Sequence, residues 1–331
     1  MQTASAFWGS KVLLTAVGLD LFTKLGAGRM TAPQLGEALA LHPRGTYDFF
    51  DALVALKFLE RDGDGPDGQY KNTPETAAFL SKTSPSYIGG LPQMLNSRLF
   101  GFWNDLGTAL KTGRPQNEAK HGGKAMFEEL YSDPARLAEF LYAMSSVQAA
   151  NFSLLAEKFD FSRYTTVSDI GGALALLSRL VGARHPHLAF NSLDLPQVAP
   201  LAQQHVESAA LTQRIKVISG DFFKDEFPKA DVITMANVLH DWNLQRKKIL
   251  IRKAFDALPE GGALIAIENV IDDARRTNAF GLLMSLNMLI EMGDAFDYTG
   301  ADFRGWCEEV GFRRFEFISL AGAASAAIAY K

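Results

Sequence analysis

The sequence has a single cysteine, Cys307, which excludes an internal disulfide and fits a reducing compartment. The N-terminus lacks a basic region followed by an apolar core, so no secretory signal is predicted. No apolar run is long enough to span a membrane. A net charge of −4 gives no electrostatic reason to expect nucleic acid or an anionic membrane as a partner. We therefore expect a soluble, cytoplasmic protein.

The composition leaves room for two domains. With 331 residues, 47% of them hydrophobic and 21% charged, the chain has the length and balance of a two-domain globular protein. Helical patterns dominate up to residue 157, and strand and helix patterns alternate from residue 165 onward. We predict a helical domain over residues 1–157 and an α/β domain over residues 158–331.

A first helix is predicted over residues 5–25, where apolar residues recur at helical spacing over a wide arc. A helix this apolar near the chain start would be a poor monomer surface. From the residues alone, a contact between subunits explains the pattern as well as packing within its own domain does. Residues 86–157 also have a helical pattern, in which a piece beginning at Phe102 stops at Lys111–Pro115, a C-cap with a following breaker. Asp133 and Pro134 are the predicted N-cap and first-turn proline of the long helix that follows.

Residues 31–73 have the order helix, turn, helix and two short strands, which is the layout of a winged helix. DNA binding must therefore be weighed. The first hundred residues hold nine basic and nine acidic side chains, and the second helix carries Arg44 together with Asp48 and Asp51. Repulsion between these acids and phosphates would weaken DNA binding. The winged-helix layout is better interpreted as a scaffold.

The second half of the chain alternates between strand and helix, which predicts a mostly parallel sheet with helices on both faces. Helical runs lie between the first five strands, notably at Leu174–Ala183 and Leu244–Leu258, and the last two strands follow each other closely enough to form an antiparallel hairpin. The strand-like runs are TTVSDIG, LAFNSLDL, IKVISGDF, ADVITMANVL, ALIAIENVI, RRFEFISL and ASAAIAYK.

Acids and a histidine stand where the first five predicted strands end. Ligands of open α/β sheets bind beyond these carboxyl ends. Gly171 and Gly172 open directly into a helix, which is typical of a nucleotide-type cofactor site, although the third glycine of a dinucleotide site is missing. An acid at the end of the second strand can accept both ribose hydroxyls. The residues at the strand ends are Asp169, Asp194, Asp221, His240 with Asp241, and Glu268.

The segments DIGG, HPHLAFNSLDLP, SGDFF, ADVITMANVLHDW, LPEGGALIAIEN and EEVGF occur in this order. Together they resemble the class I S-adenosylmethionine-dependent O-methyltransferases, more narrowly the caffeate/acetylserotonin/hydroxyneurosporene type. The resemblance covers nearly the whole chain. It implies a Rossmann-like methyltransferase sheet, parallel with an antiparallel C-terminal hairpin, preceded by an α-helical, winged-helix-like dimerisation domain. It also implies a homodimer whose first helix, with Phe7 and Trp8, closes the acceptor pocket of the partner.

The resemblance implies that S-adenosylmethionine binds at the first strand–helix turn and that a hydroxylated small molecule, expected to be aromatic, is methylated. His240 matches the general base of the family, and Glu268 and Asp297 match the acids that orient it. A neutral imidazole, with a pKa of about 6.5, can take the proton of a phenol, with a pKa of about 10, during attack. No metal site is implied. Matching cofactor positions are Asp169, Gly171, Gly172, Asp194, Leu195, Asp221, Phe222 and Asn237.

The acceptor pocket of the family is lined by the helix that corresponds to Thr277–Gly293. Its methionine-rich face also fits plain core packing, which is the commoner use of methionine. The predicted lining residues are Trp103, Met126, Met144, Asp241, Met284, Met288 and Met292.

The sequence departs from the family pattern at the glycine loop. Ala173 and Ala175 stand where the family has its last two glycines, and Ala236 stands where relatives commonly have a basic residue. Glycine at such positions serves either a positive φ or a close approach to ligand. Two alternatives therefore accompany the methyltransferase: a relative that keeps the fold without methylating, and a winged-helix regulator that senses a small molecule.

Overall fold

The computed structural model describes residues 1–121 and 130–331. The chain forms two compact units, Met1–Gly101 and Phe102–Lys331. The predicted division into domains over residues 1–157 and 158–331 remains a prediction. Among the described residues, no helix combines the length and the apolar character needed to cross a bilayer.

The first unit packs short helices against a small antiparallel sheet. Its strands are β1 (Met30–Thr31), β2 (Leu59–Asp62) and β3 (Gln69–Asn72), in the order β1-β3-β2. The single helix predicted over residues 5–25 is interrupted, because Asp20 adopts a left-handed φ of 59°. The helices are α1 (Gln2–Gly18), α2 (Leu21–Leu25), α3 (Ala32–Ala38), α4 (Pro43–Ala55), α5 (Pro74–Phe79) and α6 (Gly90–Met94).

Helical turns continue after α6 as a π-turn over Leu95–Leu99 and short turns over Phe100–Phe102 and Trp103–Asp105, followed by α7 (Leu106–Thr112) and a 3-10 turn over Glu118–His121. The stop predicted at Lys111–Pro115 is confirmed, whereas the first helix of this region begins at Gly90 and not at residue 86. Gly113 ends α7 in a left-handed conformation, and Pro115 cannot extend the helix. The long helix α8 (Pro134–Lys158) begins as predicted, with the Asp133 carboxylate accepting from the backbone N–H of Ala135 at 2.9 Å.

The second unit contains a seven-stranded sheet in the order β6-β5-β4-β7-β8-β10-β9. Strands β4 to β8 are parallel, and β10 runs antiparallel between β8 and β9. The mostly parallel sheet with an antiparallel C-terminal pair is therefore confirmed. The strands are β4 (Thr166–Ile170), β5 (Ala189–Asp194), β6 (Ile215–Ser219), β7 (Val232–Ala236), β8 (Ala263–Glu268), β9 (Arg314–Ser319) and β10 (Ser325–Tyr330).

Alternating residues of one strand face two different cores, which is why β8 is apolar at every position but the last. Ile265 and Ile267 pack in one cluster and Leu264 and Ala266 in the other. The helix predicted between the third and fourth strands is absent, since residues 220–231 form turns. The described helices of this unit are α7, α8, α9 (Leu176–Arg184), α10 (Ala199–Ser208), α11 (Leu244–Ala257), α12 (Ala279–Met292) and α13 (Gly300–Val310).

Candidate functional site

At the first two positions of the loop after β4, neighbouring side chains leave little space for any residue larger than glycine. Gly171 has a φ of 72°, and a Cβ added there would lie 2.8 Å from Cγ2 of Val238. A Cβ on Gly172 would lie 2.2 Å from Oγ of Ser192. Contacts this short do not occur between real atoms, so a side chain at either position would force Val238 or Ser192 to move. They let the loop lie close to the ends of β5 and β7.

Ala173 and Ala175 both adopt left-handed conformations, with φ of 47° and 55°. An L-residue in this region is strained by about 1–2 kcal/mol. Both methyl groups are in contact with apolar side chains: Ala175 is fully buried in the cluster around Val181, and Ala173 packs against the cluster that contains Leu174. The loop therefore keeps a glycine-like backbone path, and burial of the methyls offsets part of the strain.

Asp194 joins this loop to the end of β5. Its Oδ2 accepts from the backbone N–H of Ala173 and its Oδ1 from that of Leu195, both at 2.7 Å. Burial raises the pKa of Asp194 to about 6, against the lowering effect of the two N–H donors. Asp169, at the end of β4, is buried and accepts from the Thr234 hydroxyl at 2.7 Å. Burial raises its pKa to about 7.

The next two predicted residues lie beyond the end of β6. Asp221 accepts from the backbone N–H of Phe223 at 2.9 Å and forms an ion pair with Lys224 at 3.0 Å. Its carboxylate is therefore partly neutralised by groups of its own turn. The Phe222 ring meets the ring of Trp242 edge to face, with centroids 6.1 Å apart. These contacts connect the end of β6 to the turn that follows β7.

β7 ends at Ala236, earlier than predicted, because Asn237 takes a left-handed φ of 51° and a 3-10 turn over Leu239–Asp241 follows. Glu268, the last residue of β8, holds this turn. Its Oε1 accepts from the backbone N–H groups of residues 238, 239 and 240 at 3.2, 2.8 and 3.2 Å. Glu268 thus positions the histidine through the backbone, whereas the sequence predicted that it orients the imidazole. Burial raises the pKa of Glu268.

His240 is buried between two carboxylates. Its Nε2 lies 3.4 Å from Oδ1 of Asp241, and its Nδ1 lies 3.4 Å from Oδ1 of Asp297. Burial alone would lower the pKa of His240, but Asp241, Asp297 and Glu268 outweigh it and raise that pKa to about 10. Burial raises the pKa of Asp241 to about 7. The α11 helix is capped by Asn243, so His240 is not needed as a cap.

The helix α12 packs against the His240 turn and against the Trp103–Asp105 turn. The Trp103 indole N–H donates to Oδ1 of Asn287 on α12 at 3.0 Å. Met288 is buried, and Met284 and Met292 are half-buried one turn to either side of it. The structure therefore brings Trp103 and Asp241 to the helix that carries these methionines.

Two further predicted lining residues are Met144 and Met126. Met144 is half-buried on α8, which packs against α9. Met126 lies outside the described residues. Both remain predictions.

Two residues near His240 were not predicted from the sequence. Lys247 is 0% exposed although it lies on a surface helix. It shares the buried stripe of α11 with Leu250 and Ile251, at spacings of three and four residues, and this pattern of a charge on an apolar stripe could have revealed it. Tyr131, which packs against the cluster around Leu174, has its pKa raised by burial and by the nearby charges of Asp194 and Asp241. No sequence pattern identifies it.

Comparison with known proteins gives matches over nearly the whole chain. Residues 103–313 match the family described as the O-methyltransferase domain, and residues 1–82 match the O-methyltransferase dimerisation domain. The tetracenomycin polyketide synthesis 8-O-methyl transferase TcmO of Streptomyces glaucescens is 37% identical over 331 residues, which cover 100% of this chain and 96% of the relative. The N,N-dimethyltransferase OxyT of Streptomyces rimosus is 34% identical over 314 residues, covering 95% and 90% of the two chains.

A solved structure extends the likeness to three dimensions. The crystal structure of human N-acetylserotonin methyltransferase in complex with SAM superposes with a TM-score of 0.92 at 27% identity, covering 100% of this chain and 96% of that one.

Proposed function

This chain belongs to the O-methyltransferase family, and on that premise we propose that it transfers the methyl group of S-adenosylmethionine to a hydroxyl of a small aromatic metabolite. The observation that carries the proposal is His240, held between Asp241 and Asp297 beside the Gly171–Gly172 loop at the carboxyl end of the sheet. A histidine that a neighbouring carboxylate orients is a recurring arrangement in general-base catalysis.

The residues of the loop fit the cofactor. Each oxygen of Asp194 accepts one backbone N–H, which leaves lone pairs on both oxygens for the two ribose hydroxyls. Phe222 and Asp221 would flank the adenine, and Gly171 and Gly172 would lie near the amino-acid part. When bound, S-adenosylmethionine supplies an electrophilic methyl group on a sulfonium, and its positive charge favours the neutral form of a nearby imidazole.

The work of the chain is to align the acceptor and to take its proton. In an in-line displacement the acceptor oxygen forms a bond to the methyl carbon as the carbon–sulfur bond breaks, and correct alignment supplies much of the rate. Nε2 of His240 takes the hydroxyl proton. Asp297, facing Nδ1 at 3.4 Å, stabilises the imidazolium that forms. The proton then leaves to solvent, and the neutral base is restored.

The acceptor is proposed to lie between α12 and the His240 turn. Trp103, Met288 and Met292 offer an apolar, polarizable surface suited to a flat aromatic ring. TcmO, by its name, methylates an oxygen in tetracenomycin polyketide synthesis, and a phenolic polyketide or naphthoate is therefore the first acceptor class to test. OxyT is an N,N-dimethyltransferase, so amine analogues belong in the same panel.

We propose further that the protein works as a cytoplasmic homodimer. The match of residues 1–82 to a dimerisation domain supports the homodimer, and the family resemblance supports a role for the first helix in closing the partner's acceptor pocket. The regulator alternative is disfavoured because Arg44, the one basic residue on α4, pairs with Asp48 at 2.7 Å. Salt-sensitive retention on DNA would be needed to restore it, and we expect none.

The experiment that tests the function is a methylation assay with mass detection. Purified protein is incubated with S-adenosylmethionine and a panel of hydroxylated polyketides, hydroxynaphthoates and their amine analogues, and products are scored for added methyl groups. Calorimetry with S-adenosylhomocysteine runs in parallel. Cofactor binding with O-methylation supports the proposal. An absence of heat at high micromolar ligand would instead favour the relative that keeps the fold without methylating.

A further inference from the structure

Lys247 carries a charge buried directly beneath the His240 turn. The residue is 0% exposed, and lysine is almost never fully buried without a partner. Its ammonium donates to the backbone carbonyl oxygen of Trp242. It also lies 3.8 Å from the ring centroid of Phe296 and 5.9 Å from that of Tyr298, so the faces of two aromatic rings stabilise the cation.

The Trp242 carbonyl follows directly after the catalytic turn Leu239–Asp241. The backbone of this turn is therefore held at both ends. Glu268 accepts the N–H groups at its start, and Lys247 donates to the carbonyl at its end. Movement of either contact would move the imidazole of His240.

The ammonium also contributes to the charge balance of the site. The acids facing His240 come from three elements: Asp241 on its own turn, Glu268 on β8 and Asp297 before α13. Tyr298 lies beside them, Asp294 follows α12, and the single titratable side chain of α12 is Glu291. Three acids around one imidazole favour its protonated form, which cannot act as a base. Among the described residues, Lys247 is the one lysine or arginine whose charge lowers the pKa of both Asp241 and Glu268.

We infer that Lys247 is a positioning residue of the catalytic turn: its ammonium fixes the Trp242 carbonyl and supplies buried positive charge that opposes protonation of His240. The inference rests on the proposed role of His240 as the base. Burial lowers the pKa of Lys247 to about 8 although the acids oppose this. The side chain is therefore cationic at neutral pH and loses its charge above pH 8.

The first test compares the wild type with Lys247→Met, which keeps an apolar stem, and Lys247→Arg, which keeps the charge. At pH 7 we expect kcat/KM to be about tenfold higher for the wild type than for Lys247→Met. The reason is that a neighbouring charge shifts the pKa of a group such as His240 by one unit or more. The ratio should fall toward one above pH 9, where Lys247 is neutral in the wild type. Lys247→Arg should keep most of the activity at pH 7. A ratio that does not change with pH would mean a merely structural lysine and overturns the inference.

The second test needs no activity and so separates this inference from the proposed function. In protein labelled with 13Cε-lysine, the signal of Lys247, identified by its absence in Lys247→Arg, should titrate near pH 8. Because coupling between two sites is reciprocal, His240→Gln should raise that midpoint by about one unit. An unchanged midpoint would show that the two groups do not interact and overturns the inference, whether or not the protein methylates any acceptor. If Lys247→Met fails to fold, Lys247→Arg and this titration still decide.

Discussion

Nδ1 of His240 and Oδ1 of Asp297 lie 3.4 Å apart, and Asp297 is 2% exposed. The acid reaches this position from the segment between α12 and α13, more than fifty residues beyond the histidine in sequence. Its charge is one of those that raise the pKa of His240 above the ordinary value. Asp297 therefore makes His240 a stronger base and stabilises the imidazolium that forms when His240 takes a proton.

We expect Asp297→Asn to lower kcat by roughly 10²-fold, because the amide no longer stabilises the imidazolium. The pKa of His240 should fall in the same variant, since a raising charge is lost. Steady-state kinetics and a titration of the His240 signal in 13C-labelled apo protein measure the two effects. Asp294→Asn is the matched control: Asp294 is an exposed acid three residues upstream that binds Asn243, and its loss should change kcat less than twofold. A normal kcat in Asp297→Asn would show that Asp297 does not contribute to the function of His240 as the base.

Glu268 is expected to matter first for stability. Replacing Glu268 by Ala leaves three buried N–H groups of the His240 turn without their acceptor, at a cost of about 1–3 kcal/mol for each group that finds no water. Glu268→Gln keeps an acceptor oxygen at the same place and should retain most of the free energy of unfolding. Urea denaturation of the two variants measures the difference. Equal stability would mean that the turn holds its shape without this acceptor.

Asp194 is the expected anchor of the cofactor. Asp194→Asn should weaken S-adenosylhomocysteine binding by about tenfold or more, because charge-assisted hydrogen bonds are roughly twice as strong as neutral ones. The pKa of Asp194 is raised to about 6, so its carboxylate is protonated as the pH falls below 6. Wild-type affinity should therefore decline from pH 7 to pH 5, and the affinity of Asp194→Asn should not. Calorimetry at the two pH values measures this, with the exposed Asp256→Asn as control.

The strands of the second unit follow from local sequence, because buried parallel strands are short runs of β-branched and apolar residues bounded by turns. The sequence also predicts where these strands end, and it therefore predicts that Asp169, Asp194 and Glu268 lie at one edge of the sheet. The end of β7 was not predicted correctly, because it depends on the left-handed Asn237 and the backbone turn after it. The spacing of apolar residues gives no signal for such a turn.

Ala173 and Ala175 looked from sequence like a defect in cofactor binding. Their left-handed φ values mean that the strain of about 1–2 kcal/mol is real, while their methyls pack against protein. We therefore expect Ala173→Gly and Ala175→Gly to change cofactor affinity less than threefold. Stability should change by no more than about 1 kcal/mol, since relief of strain is opposed by the lost methyl burial and by the greater freedom of glycine in the unfolded chain. A tenfold gain in affinity in either variant would show instead that a methyl obstructs the cofactor.

The first helix should hold the dimer together. Phe7 and Trp8 on α1 are 54% and 66% exposed and line an apolar groove with Val12, Phe49 and Phe100. Exposed aromatic side chains in one patch mark an interaction site, and each can bury 150–250 Å² of surface in a partner. A glutamate at position 8 would place a charge in that contact without disturbing a buried residue. Trp8→Glu should therefore shift the protein from dimer to monomer in light scattering at micromolar concentration.

The control for this variant must be an apolar side chain of similar exposure on another helix. Ile249, 42% exposed on α11, meets that condition, and Ile249→Glu should remain dimeric. Circular dichroism of Trp8→Glu should match the wild type, because Trp8 contributes to no buried cluster. If α1 also closes the partner's acceptor pocket, the monomer should bind cofactor normally while the KM for the acceptor rises. A stable Trp8→Glu dimer would move the subunit contact away from α1, and with it the reason for the exposed aromatic pair.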